Sequence, residues 1–429
     1  MKPMRLLWHS RLRRDTFLLL ALQTFYKLSG IMFVMVLSRR LSTGDIGVYF
    51  FAVSFAEAFA FLAGFQLNPV MMRKVAADMA RASSHLAPVL GFRFFGALVY
   101  LLCVFTAAVT FAGGIWRIIM VVAIFTLVEN VYFTFASLFI ALGRAVYNVC
   151  IGAAVEVLFL SAFLLGMWWA PSINVLLEAG LLRSLFLVGT AVLVARHWLF
   201  PLQVSWDYRI MREGLPFILT TLIALLGDKV DTLLLGFLTG YETVGRYHLG
   251  MKVVLASLFI PTVVGQVVFP ALAAAGLTAN NRRTVLRGAG FLLGLGVFAM
   301  AVGFIFAFPL TAVFYGSVSA TVAPLLRPLT LLFPLLFLNS FMSLILQALY
   351  QETRVLRSLA IGTGASILGN CALIPLLGVY GAVYARVLSG LVRLGILSWH
   401  LRHLFLHPPS PAARPDEEEE LTIPAGSQW

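Results

Sequence analysis

Apolar runs long enough to cross a bilayer follow one another from end to end of this chain. They constrain it more than any other feature, because a membrane-spanning helix consumes about 20 such residues. Hydrophobic residues make up 61% of the 429 and charged residues only 11%, where soluble domains carry about 25% charge. Broken at charge and Gly/Pro clusters, the runs predict twelve helices: 15–37, 46–66, 87–111, 116–142, 146–169, 174–196, 214–238, 244–274, 287–314, 321–349, 355–376 and 380–402. The expected fold class is therefore an all-α integral membrane protein. No room remains for a soluble catalytic domain, and an even count of spans puts both termini on one side.

Charge decides which side that is. Of the 31 Lys and Arg, nineteen fall on connections at the side of the termini, and four (Arg39, Arg40, Arg117 and Arg246) on the opposite side. By the positive-inside rule both termini are expected in the cytoplasm. The net charge of +13 would suggest nucleic acid in a soluble protein. Here most of it is topology, and nucleic acid is not an expected partner. The run at 17–36 is too long for a signal h-region and lacks a cleavage pattern, so it is kept as the first span. Cys103, Cys150 and Cys371 lie far apart with no metal-ligand spacing and read as packing residues.

An echo inside the chain suggests a repeat. Ile46-Gly47-Val48-Tyr49, where the first span passes to the second, returns as Val244-Gly245-Arg246-Tyr247, 198 positions later. Six predicted spans separate the copies, so they share orientation. This implies two six-helix halves related by an axis along the membrane normal, a transporter layout with substrate between the halves. The expected division is an amino-terminal bundle over 1–199, a cytoplasmic linker over 200–213, a carboxy-terminal bundle over 214–403, and a disordered acidic tail over 404–429.

Charges inside the spans carry most of the functional information, since each costs about 2.5–3.5 kcal/mol at a helix centre and is expected to face a cavity or a partner. Arg93, Glu178, Arg183, Arg327 and Arg393 lie near helix ends and are expected to snorkel. Lys27 has no such escape. The 198 offset sets Leu225 opposite Lys27, with Asp228 and Asp231 one to two turns further out on one helix face. It also brings Glu57 to within a turn of Lys252. Lys27, Glu57, Asp228, Asp231 and Lys252 are thus candidates to converge between the halves. They would hold an anionic head group with the lysines and couple to cations with the carboxylates, or they would pair across helices as structural ties. Lys229 is expected to pair elsewhere. Arg386 is either an anion contact or a partner for an acid. Glu129 and Glu156 are proton-site candidates or hydrogen-bond to nearby polar groups. The Gly290-x-x-x-Gly294 motif reads as helix packing. No catalytic, metal or cofactor residues are expected.

Several stretches together resemble a known family. They are Leu37 through Tyr49 followed by a span to Met72-Arg73-Lys74, Gly214-Leu215-Pro216 ahead of Asp231, Gly240-Tyr241-Glu242-Thr243-Val244-Gly245-Arg246-Tyr247, Phe314-Tyr315-Gly316, Asn370 to Pro375, and Val379-Tyr380-Gly381-Ala382. In order and spacing these resemble the polysaccharide (Wzx-type, O-antigen) flippases of the multidrug/oligosaccharidyl-lipid/polysaccharide exporter superfamily. The likeness runs over roughly residues 12–403.

The resemblance implies two pseudo-symmetric six-helix bundles around a V-shaped central cavity, in a bacterial inner membrane. The implied activity is transfer of undecaprenyl-pyrophosphate-linked oligosaccharide between leaflets for O-antigen, capsule or exopolysaccharide synthesis. Polysaccharide polymerase machinery would be the downstream partner. Lys27, Lys252 and Arg386 would contact the pyrophosphate, whose multivalent charge suits cations in a low-dielectric cleft. Asp231, Asp228 and Glu57 would couple to a proton or sodium gradient. No bond is made or broken, so the expectation is a transporter and not an enzyme.

Two relatives compete. A multidrug cation antiporter shares fold and length, yet prefers an acidic or aromatic cavity. A peptidoglycan-precursor flippase has two further carboxy-terminal spans beyond the twelve read here. A scaffold or a polymerase fits less well, because a polymerase is expected to have a long outer loop.

Overall fold

The computed structural model describes residues 2–199, 206–275 and 278–406. Every element among them is helical: α1 (Lys2–Arg40), α2 (Thr43–Ala58), α3 (Asn68–Ala77), α4 (Ala82–Phe111), α5 (Trp116–Ala141), α6 (Ala145–Trp169), α7 (Ile173–Leu199), α8 (Tyr208–Thr239), α9 (Tyr241–Ala256), α10 (Phe259–Ala275), α11 (Ala279–Ile305), α12 (Ala307–Tyr315), α13 (Ser319–Leu329), α14 (Leu332–Ala348), α15 (Glu352–Leu377) and α16 (Val379–Leu406). Nine helical segments among the described residues are long and apolar enough to cross a membrane, which fits an all-α integral membrane protein.

Four predicted runs are cut differently, the one expected over 244–274 parting at Ser257 and Leu258 into α9 and α10. The run expected as one helix over 46–66 stops at Ala58, turns through positive φ at Phe65 and Gln66, and resumes as α3. The runs at 287–314 and 321–349 become three pieces: α11, then α12 with α13, then α14. Pro324 and Pro328 lie inside α13 and Pro334 is the third residue of α14, so the break between them falls where missing amide donors weaken the helix. The linker expected over 200–213 is shorter than read. Asp207 caps α8 by accepting from the Arg209 amide at 2.9 Å, and helix begins at Tyr208. Residues 200–205 of that linker and 407–429 of the expected tail lie outside the described residues, while α16 continues through Leu406.

Irregular backbone at membrane depth survives only where protein covers it, and the α2–α3 break is covered by α4. Tyr100 donates its hydroxyl to the Ala56 carbonyl at 3.2 Å, taking up an acceptor at the end of α2. Arg93, expected to snorkel, is instead 5% exposed and donates to Asn68 Oδ1 at 3.0 Å. Its guanidinium lies against Gly64, where a Cβ would fall 2.6 Å from Nη1. Burial against the interrupted backbone, not escape to the interface, accommodates this charge.

The repeated motif packs on itself. A Cβ on Gly47 would meet the Tyr241 carbonyl oxygen at 1.6 Å, and one on Gly245 would meet that of Thr43 at 2.2 Å. Thr43 and Tyr241 are themselves 198 apart, so the contact is reciprocal. Helices α2 and α9 each have 16 residues and share the 198 offset at both ends. Thr43 Oγ1 donates to Glu242 at 3.4 Å beside the crossing, and Arg39 donates to the Val313 carbonyl at 2.6 Å. These contacts join the amino-terminal and carboxy-terminal helices around the turn between α1 and α2. By contrast, a Cβ at Gly290 or Gly294 would meet nothing within 4 Å, so the expected packing role of that pair is corrected. The packing role read for the cysteines also fails for Cys150 and Cys371, which are exposed, while Cys103 is half-buried.

Replacing Gly47 with Ala puts a methyl group into the backbone of α9. Cysteines at positions 43 and 242, introduced after removal of the native ones, should crosslink readily in the parent. The Gly47→Ala variant should lower that crosslink yield at least tenfold, as read on denaturing gels.

Candidate functional site

The α2 seam, packed on α8 and α9, collects most of the charges singled out in the sequence. Lys27 of α1 is exposed, with its Nζ 5.1 Å from the ring centroid of Phe259 in α10. Lys252 of α9 is exposed too, with its Nζ 5.5 Å from the centroid of Phe50 in α2. Each ammonium thus rests on an aromatic face carried by the other part of the chain, an attraction that leaves the cation free for another partner. Neither forms an ion pair among the described residues. The His248 ring lies flat on the same Phe50, centroids 4.6 Å apart and planes 7° from parallel, one turn before Lys252 on α9.

The carboxylates are distributed differently from the expectation. Asp231 is 1% exposed and both of its oxygens are engaged. Oδ2 accepts from Tyr247 Oη at 2.5 Å and from Arg386 Nη1 at 2.5 Å. Oδ1 accepts from the Thr232 amide at 2.7 Å and the Thr232 hydroxyl at 3.2 Å. A charge this deep is tolerable because a second charge and neutral donors replace its water. Arg386 therefore acts as an acid's partner in this structure. Its Nη2 reaches Asp228 at 3.5 Å, whose side chain is 68% exposed. Glu57 pairs across the seam with Lys229, not with Lys252. Thr232 Oγ1 lies 2.9 Å from His248 Nε2. The contacts run unbroken from Arg386 through Asp231, Thr232, His248 and Phe50 to Lys252.

Sequence reasoning missed a second cluster. Arg183 of α7, expected at the interface, forms ion pairs with Glu129 of α5 and with Glu156 of α6, the latter at 3.0 Å. Glu156 also accepts from Ser29 of α1. One guanidinium thus ties four helices of the amino-terminal part, where the sequence reads the two glutamates as proton sites or as hydrogen-bonded to nearby polar groups. The available signal was three opposite charges in consecutive apolar runs. Distance from a helix end misled, because the side chain turns inward.

The fold and its apolar helices define a multi-pass membrane protein. Among solved structures the chain is similar to the lipid II flippase MurJ in an inward closed conformation, at 12% identity and TM-score 0.74, covering 90% of this chain and 87% of that one. It is also similar to an inward-facing multidrug resistance MATE family transporter of the MOP superfamily, at 13% identity and TM-score 0.65, covering 88% and 94%. A MOP superfamily transporter from Pyrococcus furiosus, described as having a binding pocket of reverse polarity, matches at 14% identity and TM-score 0.59, covering 94% and 96%. At such identities the likeness establishes the fold. No curated protein matches the chain. The family model described as polysaccharide biosynthesis protein matches residues 12–275, well over half of the sequence, and the chain belongs to that family.

Arg386→Met leaves the Asp231 carboxylate buried with no opposite charge. Thermal or denaturant unfolding in detergent should show a loss of about 3–5 kcal/mol, with most of it recovered by the double substitution Asp231→Asn plus Arg386→Met. Equal losses in the single and double variants would mean that the pair is not energetically coupled.

Proposed function

We propose that this protein is a flippase that moves undecaprenyl-pyrophosphate-linked oligosaccharide from the cytoplasmic to the periplasmic leaflet of a bacterial inner membrane, for O-antigen, capsule or exopolysaccharide synthesis. In this reading both termini are cytoplasmic, and twelve spans form two six-helix halves around a V-shaped cavity. The reciprocal crossing of α2 and α9 supports the relation between halves. Lipid-linked cargo is also what the name of one structural neighbour, the lipid II flippase, describes.

The observation that carries the substrate class is the pair Lys27 and Lys252: two exposed ammonium groups, seated on aromatic rings across the seam and lacking acidic partners among the described residues. Free cations on a low-dielectric wall attract a multivalent anion strongly. They repel organic cations, which disfavours a multidrug antiporter. Arg386 is the third proposed contact, available when it leaves Asp231. Proton or sodium coupling is proposed to pass through Asp231, Asp228 and Glu57. A cation arriving on Asp231 competes with Arg386, and the contacts through Thr232, His248 and Phe50 connect that exchange to Lys252. Polysaccharide polymerase machinery would then use the exported unit.

In proteoliposomes loaded with lipid-linked oligosaccharide, Lys27→Gln plus Lys252→Gln should abolish translocation, while Lys27→Arg plus Lys252→Arg should keep most of it. Unchanged rates in the glutamine double variant would overturn the substrate assignment. Asp231→Asn should translocate at a rate indifferent to an imposed pH or sodium gradient, with the wild-type rate rising at least severalfold. A retained gradient response would remove Asp231 from the coupling.

A further inference from the structure

A cleft of about 670 Å3 opens in the carboxy-terminal part, between α11, α13 and the first turns of α16. Its size falls within the roughly 300–1,000 Å3 that ligand pockets span. Helix α11 supplies an apolar wall that includes Ala301, Phe304 and Ile305. The exposed polar groups are confined to the facing side, with Arg327 on α13 and Tyr380 and Tyr384 on α16.

All three polar side chains are open to an occupant. Arg327 is exposed, and Tyr380 and Tyr384 are 39% and 42% exposed. Among the described residues neither phenol hydroxyl has a hydrogen-bond partner. The Arg327 guanidinium has only the ring of Phe304, 5.9 Å from its centroid, and none of the described residues lining the cleft is acidic. Arg327 belongs to the apolar segment 307–329, where a guanidinium is costly unless an anion or water meets it. Tyr380 is the second residue of α16, so the positive end of that helix adds to the field at the cleft.

This combination selects among ligands. An organic cation would meet a guanidinium and no counter-charge. Inorganic phosphate would gain nothing from the α11 wall, and a plain hydrocarbon would leave the guanidinium unmet. An amphiphile with an anionic head satisfies both sides. The planar guanidinium takes two phosphate oxygens at once, and tyrosines, with apolar rings and polar tips, suit the level where head group meets chain. One cation matches the single charge of a phosphodiester, whereas the multivalent pyrophosphate is proposed to use the seam. The location agrees. Residues 384 and 386 lie about 200° apart around a helix, so the cleft is on the back of α16 from the Arg386 that meets Asp231.

We infer that this cleft binds one anionic phospholipid of the surrounding bilayer, with its phosphate on Arg327 beside the two tyrosines and an acyl chain along α11. Such a site goes beyond the flippase reading and does not depend on which cargo the seam carries. Because α13 packs on both α9 and α16, the lipid braces the helices that bear Lys252 and Arg386.

The test is native mass spectrometry of the full chain in detergent, offered equal amounts of dioleoyl phosphatidylglycerol and dioleoyl phosphatidylcholine, which share chains and differ in net charge. Wild type should retain one phosphatidylglycerol with about fivefold preference, the size expected of one arginine at an anionic lipid surface. Arg327→Gln should abolish the preference. Ala301→Trp, which fills the cleft and keeps the charge, should cut retention of both lipids at least fivefold. Lys27→Gln plus Lys252→Gln should leave the preference intact, separating this site from the seam. Elution volume and unfolding temperature matching wild type certify that each variant folds. Equal uptake of the two lipids by wild type, a preference that survives Arg327→Gln, retention unchanged in Ala301→Trp, or a preference lost with the seam lysines would overturn the site. So would undecaprenyl phosphate displacing phosphatidylglycerol at lower concentration than phosphatidylglycerol itself, which would give the cleft to a cargo lipid.

Discussion

The approach of α2 to α9 at backbone distance is the interaction on which the rest of the arrangement depends. Two glycines, Gly47 and Gly245, remove the side chains that would hold these helices apart. In a membrane, where apolar burial gives little drive for helices to associate, close backbone packing is a principal source of cohesion. Once α2 and α9 cross, the positions of Phe50, His248, Lys252 and Glu57 follow from helical geometry alone. The aromatic face under Lys252 is a consequence of that crossing.

Intramembrane charges then sort into two kinds. Asp231 with Arg386, and Arg183 with Glu129 and Glu156, are closed groups in which protein donors replace the water removed by burial. Lys27 and Lys252 are open, supported by quadrupoles and left available. Closed groups fix helices to one another, and open ones can serve a ligand. The Asp231 carboxylate belongs to the first kind in this conformation, with four donors around it. Its part in coupling thus requires the Arg386 contact to break, and the Thr232–His248 link places the consequence at the seam.

Much of the fold was legible in the sequence because the bilayer imposes a simple rule: apolar runs of span length must be helical. Helices α4 through α7 and α15 through α16 follow the predicted runs closely. The α13–α14 break follows its prolines, whereas the α2–α3 break is supported by a partner elsewhere in the chain. Between Ala58 and Leu67 the sequence signals a turn only through Gly64 and the Asn68-Pro69 that follows, and Arg93, Gly96 and Tyr100 of α4 make it tolerable. Of the candidate site, the residue types and their depth were readable, as was the 198-residue echo. Their partners were not. Asp228 and Asp231 were both read on one face of α8, yet one is buried and the other exposed, since a helix face is broad and only the neighbouring helix decides which part is covered.

Composition and hydropathy alone determined that this is a helical membrane protein with costly charges inside its spans, since those follow from the energy of moving each residue out of water. The tertiary structure decided which charges neutralise one another. Pair formation depends on directions and distances of a few ångströms between helices far apart in sequence. Arg386 lies 155 residues from Asp231, and no periodicity within either helix specifies that meeting.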